Sequence, residues 1–175
     1  MDFKEYFKDK KITVMGLGLL GRGVGDVAFL AADLIVTDLK SKEELAESLD
    51  KLKKYNNITY VLEEHRLENF RDRDFILKAA GVPLDSSYIQ EARNNNISIK
   101  MSASLFVEHA GGVTLVGITG TRGKSTVTFL LHHILKSAGY SVLLGGNVRG
   151  VSTLSLLKDV KKGDIVLLEL DSWQL

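Results

Sequence analysis

Val113 to Thr126 reads VTLVGITGTRGKST, and the reading of this stretch decides the fold. Val113 to Ile118 is an apolar run rich in β-branched residues, the pattern of a buried parallel strand. It breaks into a glycine-rich turn, Gly120-Thr121-Arg122-Gly123, and Lys124-Ser125-Thr126 then open a helix. Val127, Leu130, Leu131, Ile134, Leu135 and Ala138 recur along that helix at helical spacing, and Gly139 suits its end. Strand, glycine loop, Lys-Ser and helix, in that order, suit a nucleotide triphosphate. A helix start leaves backbone N–H groups unpaired and carries the positive end of a dipole, so it attracts phosphate. Lys124 adds a point charge near the β- and γ-phosphates, and the Ser125 hydroxyl can complete a Mg²⁺ shell. The strict loop pattern would place its first glycine where Ile118 stands, and the nearest glycine is Gly117. An ordinary tight β–α turn containing Gly-Lys-Ser is the plainer alternative, but the intact strand–loop–helix context favours ATP or a relative.

Composition narrows the classes. The length of 175 residues suits one domain, or one domain and part of another. Apolar and charged fractions of 45% and 26% are those of a soluble globular chain. A formal net charge of +1 gives no pull toward nucleic acid or a membrane surface. The chain has no cysteine, which excludes disulfides and thiolate metal sites and fits a cytoplasmic protein. The start, MDFKEYFKDKK, is too charged for a signal peptide, and no apolar run reaches membrane-spanning length.

Ahead of the phosphate loop the chain alternates strands and helices. Lys11 to Met15 reads as a strand feeding Gly16-Leu17-Gly18-Leu19-Leu20-Gly21, a G-x-G-x-x-G turn. A second strand, Leu34 to Thr37, ends at Asp38, about 20 residues on, where an acid often meets a ribose hydroxyl. NAD, a mononucleotide, or a glycine turn needed only for helix–sheet packing all remain compatible with this segment. Ser41 is placed to cap a helix through about Leu52. Ile58 to Leu62 and Phe75 to Leu77 read as strands, and Pro83 fixes the loop after the latter, at the sheet edge where ligands sit in open α/β folds. Asp85 or Ser86 caps a helix through Arg93, followed by the strand Ile97 to Met101 and a helix from about Ala103 to His109.

Five strands with intervening helices imply a parallel sheet covered on both faces, with a domain boundary at Gly111-Gly112. The second unit holds the phosphate-loop strand, a strand from Tyr140 to Leu144 ending at Gly145-Gly146-Asn147, an amphipathic helix over Val151 to Val160, and a strand from Ile165 to Leu170. Three strands with an exposed apolar face make a poor terminus for a domain, so the chain is expected to be a fragment of a longer protein. The four histidines lack partners at metal-ligand spacing and are assigned no chemistry.

GLGLLGRG near the start, GITGTRGKST, GGN at Gly145 to Asn147 and LELDSWQL at Leu168 to Leu175 together resemble the Mur ligase family, ATP-dependent amide ligases that build the peptidoglycan peptide. The order and spacing are most similar to the members that add D-glutamate to UDP-N-acetylmuramoyl-L-alanine. The resemblance implies an α/β fold: a Rossmann-like parallel-sheet domain over residues 1–110 for the UDP substrate, followed by the beginning of a P-loop ATPase domain over residues 111–175. It implies ATP and Mg²⁺ as cofactors, an acyl-phosphate intermediate, and a cytoplasmic protein that is a monomer when full length. The remaining ATPase strands and a C-terminal domain would then lie beyond Leu175, leaving this fragment inactive as a ligase.

Carried onto this sequence, Gly120, Thr121, Arg122, Gly123, Lys124, Ser125 and Thr126 match the ATP-binding loop. Glu169 matches the carboxylate that holds Mg²⁺ with Ser125, and Lys124, Glu169 and Asn147 match catalytic positions. Asn147 and Gln174 match substrate contacts, Leu19, Leu20, Asp38 and Leu39 match the uracil pocket, and Gly81 lies on the loop near the diphosphate. The sequence departs from the familiar pattern at several of these places. Arg122 stands where asparagine is commonest, Leu20 and Leu39 replace hydroxyl residues, Asp171 replaces a serine, and Ala79-Ala80-Gly81 replaces Ser-Pro-Gly. The rival readings are a sister ligase adding another amino acid, a non-catalytic nucleotide-binding regulator, and a dehydrogenase using GLGLLGRG for NAD.

Overall fold

The computed structural model describes residues 3–18, 21–30 and 32–174. The chain divides into two compact units, Met1–Met101 and Ser102–Leu175. The expected boundary at Gly111-Gly112 falls after helix Ser102–His109, which packs with the second unit.

In the first unit, α1 (Phe3–Phe7) leads to β1 (Lys11–Met15), α2 (Arg22–Leu30), β2 (Asp33–Asp38), α3 (Ala46–Leu52), β3 (Ile58–Leu62), β4 (Phe75–Lys78), α4 (Ser87–Asn94) and β5 (Ser98–Lys100). All five strands run parallel in the order β3-β2-β1-β4-β5. This is the Rossmann-like order, in which the chain leaves β1 to one side and returns to β4 on the other. Successive side chains on a buried strand serve opposite faces. Met15 and Ile76 pack with Ile89 and Ala92 of α4 and with Phe70 and Ile97. Phe7 and Phe29 stack edge-on, as do Phe7 and Phe75, tying α1 and α2 to the sheet at centroid separations of 6.1 and 6.4 Å.

Two capping expectations meet the structure differently. Ser86 begins α4, its hydroxyl accepting from Ile89 N at 3.3 Å. Ser41 forms a reciprocal cap with Glu44, Ser41 N donating to the carboxylate at 2.9 Å and Glu44 N to the hydroxyl at 3.3 Å. The segment it opens is a turn over residues 42–45, and the helix proper starts only at Ala46.

The second unit contains α5 (Ser102–His109), β6 (Thr114–Ile118), α6 (Lys124–Ser137), β7 (Val142–Gly146) and β8 (Ile165–Glu169), with parallel strand order β6-β8-β7. Two expectations need correction here. The phosphate-loop strand is parallel but not buried: β6 lies at the sheet edge, and Leu115 is 38% exposed. The stripe on α6 is also open, with Val127, Leu130 and Ile134 more than half exposed, as is Phe129 beside it. The amphipathic helix expected over Val151 to Val160 is only a 3₁₀ turn, Leu154–Lys158. Hydroxyl groups capture the local backbone there: Thr153 Oγ1 accepts from Gly146 N at 2.8 Å, and Ser152 Oγ accepts from Ser155 N at 3.1 Å. Among the described residues, no helix is long and apolar enough to cross a membrane.

Candidate active site

Strand register builds the site in the second unit. Glu169, the last residue of β8, is level with Ile118 on β6 and with Gly146 on β7. The residues leaving these three strands therefore emerge at one edge: the glycine loop after Ile118, Asn147 after Gly146, and Asp171 two residues past Glu169. The edge is pinned by Leu170 N donating to Ile118 O at 2.8 Å and Asn147 N donating to Glu169 O at 2.7 Å. The register also demands a glycine. A Cβ on Gly146 would lie 2.1 Å from Glu169 O, and the residue has φ +78°.

Gly120 to Gly123 form an exposed loop, and Gly123 is the left-handed residue that precedes α6, φ +77°, with no side chain capping the helix. Among the described residues no side chain caps the first-turn amides of this 14-residue helix. The Lys124 ammonium donates to Gly120 O at 3.1 Å and lies 3.5 Å from Asp171 Oδ1. Ser125 Oγ donates to Glu169 Oε1 at 3.0 Å, and Glu169 is 7% exposed. A buried carboxylate beside a hydroxyl offers hard oxygen donors, the set Mg²⁺ prefers, and uncapped amides with a lysine suit phosphate. The residues present therefore fit both groups.

Asn147 and Gln174 belong to the same network. Asn147 Nδ2 donates to Asp171 Oδ2 at 2.7 Å and to Gln174 Oε1 at 2.8 Å, while Asp171 N also donates to Gln174 Oε1, at 2.9 Å. Asp171, noted in the sequence only as a departure, is thus the link between Lys124 and the two amide side chains. Among the residues carried over for this unit, Lys124, Ser125, Glu169, Asn147 and Gln174 are brought together, and the exposed Thr121, Arg122 and Thr126 stand on the loop and the helix start.

In the first unit, the ends of β1, β2 and β4 are level, Met15 pairing with Thr37 and with Lys78. Asp38 is 7% exposed and its carboxylate is engaged by its own chain. Oδ2 accepts from Leu17 N at 2.8 Å and Gly18 N at 3.1 Å, and Oδ1 accepts from Lys40 N at 3.0 Å. Two of these three backbone donors lie in the glycine turn, so Asp38 braces it. Close helix packing comes from Gly23, beyond the G-x-G-x-x-G triplet, where a Cβ would lie 2.2 Å from Leu17 O. Leu39 is 66% exposed at the strand's tip and Gly81 is exposed on the loop after β4, while Leu19 and Leu20 lie outside the described residues. Lys78, which sequence reasoning passed over, is 4% exposed at the end of β4. His65 takes a packing place: its ring meets Tyr88 at 5.1 Å, Nδ1 lies 2.5 Å from Thr37 Oγ1, and burial holds its pKa below the usual value.

Comparison with known proteins gives a consistent result. No family model matches the chain. It is 40% identical over 172 residues to UDP-N-acetylmuramoylalanine--D-glutamate ligase of Borreliella burgdorferi (strain ZS7), an alignment covering 96% of this chain and 37% of that protein. To the ligase of the same name from Roseiflexus sp. (strain RS-1) it is 38% identical over 169 residues, 95% of this chain and 36% of the relative. To that of Clostridium kluyveri (strain ATCC 8527) it is 34% identical over 175 residues, 99% and 38% respectively. The chain thus spans little more than a third of the length of these curated relatives. Among solved structures, UDP-N-acetylmuramate-alanine ligase from Thermotoga maritima superposes with a TM-score of 0.55 at 23% identity, covering 93% of this chain and 37% of that one. That likeness bears on the fold: a parallel α/β architecture shared with a Mur ligase.

Proposed function

We infer that this chain is the N-terminal part of a Mur-type peptide ligase, one that joins D-glutamate to UDP-N-acetylmuramoyl-L-alanine at the expense of ATP. The observation that carries the reading is the level register of Ile118, Glu169 and Gly146, which sets the Lys124 loop, the Ser125–Glu169 pair and the Asn147–Gln174 pair on one sheet edge. The first unit would hold the UDP portion of the substrate, and the second, which begins at Ser102, would open the ATP-binding domain.

In this reading the L-alanyl carboxylate oxygen takes the γ-phosphoryl group of ATP, and ADP leaves. The amine of D-glutamate then attacks the acyl carbon, an amide forms and phosphate departs. Phosphoryl transfer asks for positioning and charge stabilisation more than for covalent help from the protein. Lys124 and the first-turn amides of α6 supply positive charge to the transferring group. Ser125 and Glu169 would hold Mg²⁺, whose chemistry is to neutralise phosphate charge and fix the reactants' geometry. Asn147 and Gln174, already hydrogen-bonded to one another, would present their remaining polar atoms to the muramoyl portion. Asp171 serves as counter-ion to Lys124 until phosphate replaces it.

Amino-acid choice is the sharpest test of the finer assignment. A full-length protein given ATP, Mg²⁺ and UDP-N-acetylmuramoyl-L-alanine, with equal D-glutamate, L-alanine and a diamino acid, is expected to form the D-glutamyl amide alone. Addition of L-alanine to UDP-N-acetylmuramate in a parallel reaction would assign it to a sister ligase. The dehydrogenase alternative requires NAD to bind while a UDP-sugar does not, and calorimetry distinguishes the two. Asp38 speaks against it, because the carboxylate that would meet a ribose is engaged by three backbone amides.

A further inference from the structure

Asp171 is engaged through both oxygens of its carboxylate. Oδ1 lies 3.5 Å from the Lys124 ammonium, and Oδ2 accepts from Asn147 Nδ2 at 2.7 Å. The backbone that carries it is pinned. Leu170 N, one residue earlier, donates to Ile118 O at 2.8 Å. Asp171 N donates to Gln174 Oε1 at 2.9 Å, and Gln174 N closes the turn by donating to Asp171 O at 2.9 Å. A short side chain on so fixed a backbone has little reach, so a lysine drawn toward phosphate must leave it.

The chemistry of the group matters as much as its place. An ionised carboxylate only accepts, so it serves the lysine and the amide at once and turns the NH₂ of Asn147 toward itself. That NH₂ also donates to Gln174 Oε1 at 2.8 Å, the same oxygen that Asp171 N reaches. Both lone pairs of Gln174 Oε1 are then taken, and among the described residues its NH₂ is left as a donor for a ligand oxygen. Beside an ammonium a carboxylate shares its charge between two donors. Released from the ammonium, it holds Asn147 by a stronger, charge-assisted bond. The phosphate loop and the amide pair therefore meet at Asp171.

We propose that Asp171 is a positioning residue that couples the two sites: a phosphate that draws Lys124 off the carboxylate firms its hold on Asn147 and Gln174, and so tightens binding of the second substrate. That the second substrate is UDP-N-acetylmuramoyl-L-alanine rests on the ligase reading, whereas the competition between Asp171 and phosphate for Lys124 stands on the phosphate site alone. The two consequences have opposite signs. Asp171 opposes ATP, because the lysine must be taken from it, and it supports the muramoyl substrate once ATP is bound. Asp171→Asn keeps the shape with a single oxygen, which cannot serve both donors, and Asp171→Ser keeps an acceptor for Asn147 without the charge. Calorimetric titrations of the full-length protein and both variants measure the two effects. The ligands are a non-hydrolysable ATP analogue with Mg²⁺, and UDP-N-acetylmuramoyl-L-alanine with and without that analogue.

Wild type is expected to bind the muramoyl substrate roughly fivefold more tightly when the analogue is present, the low end of coupling between sites, and each variant to show a change of about twofold or less. Both variants are expected to bind the analogue itself about two- to fivefold more tightly than wild type, the reach of a partly solvated ion pair. A purely structural role lowers both affinities and the thermal midpoint together, and that result overturns the proposal. So does analogue affinity unchanged in both variants. Coupling that survives in both also overturns it, because the link then runs through the metal or the reactants, and so does a wild-type protein without coupling. Should one variant fail to fold, the other carries the same test. Tighter analogue binding by the variants of a protein that does not take the muramoyl substrate supports the competition for Lys124, and refutes the ligase reading together with the coupling built on it.

Discussion

Lys124→Ala is expected to weaken MgATP binding by roughly 10- to 100-fold, the equivalent of a charge-assisted hydrogen bond or two. In the full-length protein it should lower the ligation rate by about 10²- to 10³-fold, the usual effect of removing one stabiliser of transition-state charge. The structure makes this a clean substitution. Among the described residues the Lys124 ammonium donates to Gly120 O and pairs with the Asp171 carboxylate, the latter at 3.5 Å with side chains 23% and 26% exposed. Partly solvated pairs of this kind contribute about 1 kcal/mol or less to stability. The fold should therefore survive while nucleotide affinity falls. Calorimetric titration with MgATP and a thermal melt on the same sample separate the two effects. Near-wild-type affinity in the variant would remove Lys124 from the phosphate site.

Gly146→Ala should be the most damaging single substitution in the second unit. The new methyl would sit 2.1 Å from Glu169 O and 2.8 Å from Glu169 N, both backbone atoms of the neighbouring strand, so no side chain can move aside. Left-handed backbone adds to the penalty, and together the two effects amount to roughly 3–5 kcal/mol. The β7–β8 pairing next to Glu169 must open, and with it the Ser125–Glu169 contact. Amide hydrogen exchange should show protection lost over Val142–Gly146 and Ile165–Glu169 while β1, β2 and β4 keep theirs. Gly146→Asn separates the causes, since asparagine tolerates the backbone angle but carries the same Cβ. It should be nearly as damaging, and an asparagine variant close to wild type would show that the angle alone matters.

Much of this architecture was legible because parallel strands in α/β units are short apolar runs that break at a glycine or an acid. Lys11–Met15 stops at Gly16, Ile58–Leu62 at Glu63, and Thr114–Ile118 one residue before Gly120. The glycine loop and the LELDSWQL ending likewise named the residues that register brings together. What escaped depended on neighbours distant in sequence. Edge position leaves Leu115 exposed, although its run looks buried. Thr153 bonds to Gly146 at the end of β7, and the segment that follows forms only a 3₁₀ turn. Asp38 reads in the sequence as a ribose ligand, and the bonds its carboxylate accepts from Leu17 N and Gly18 N come from a turn 20 residues upstream. Lys78 gave no signal, because a lysine ending a strand ordinarily reads as a solvated residue, and only the burial of its ammonium distinguishes it.

The central claim is that the loop around Lys124 and the carboxylate of Glu169 serve one nucleotide through one divalent cation. It is tested most directly by measuring ATP affinity with Mg²⁺ and again with a chelator, in the wild-type chain and in Glu169→Gln, which keeps an acceptor for Ser125 but not the charge. Wild type is expected to bind ATP about tenfold more tightly with Mg²⁺, and Glu169→Gln to bind it equally under both conditions. A wild-type chain indifferent to Mg²⁺, or a glutamine variant that keeps the full Mg²⁺ dependence, would contradict it.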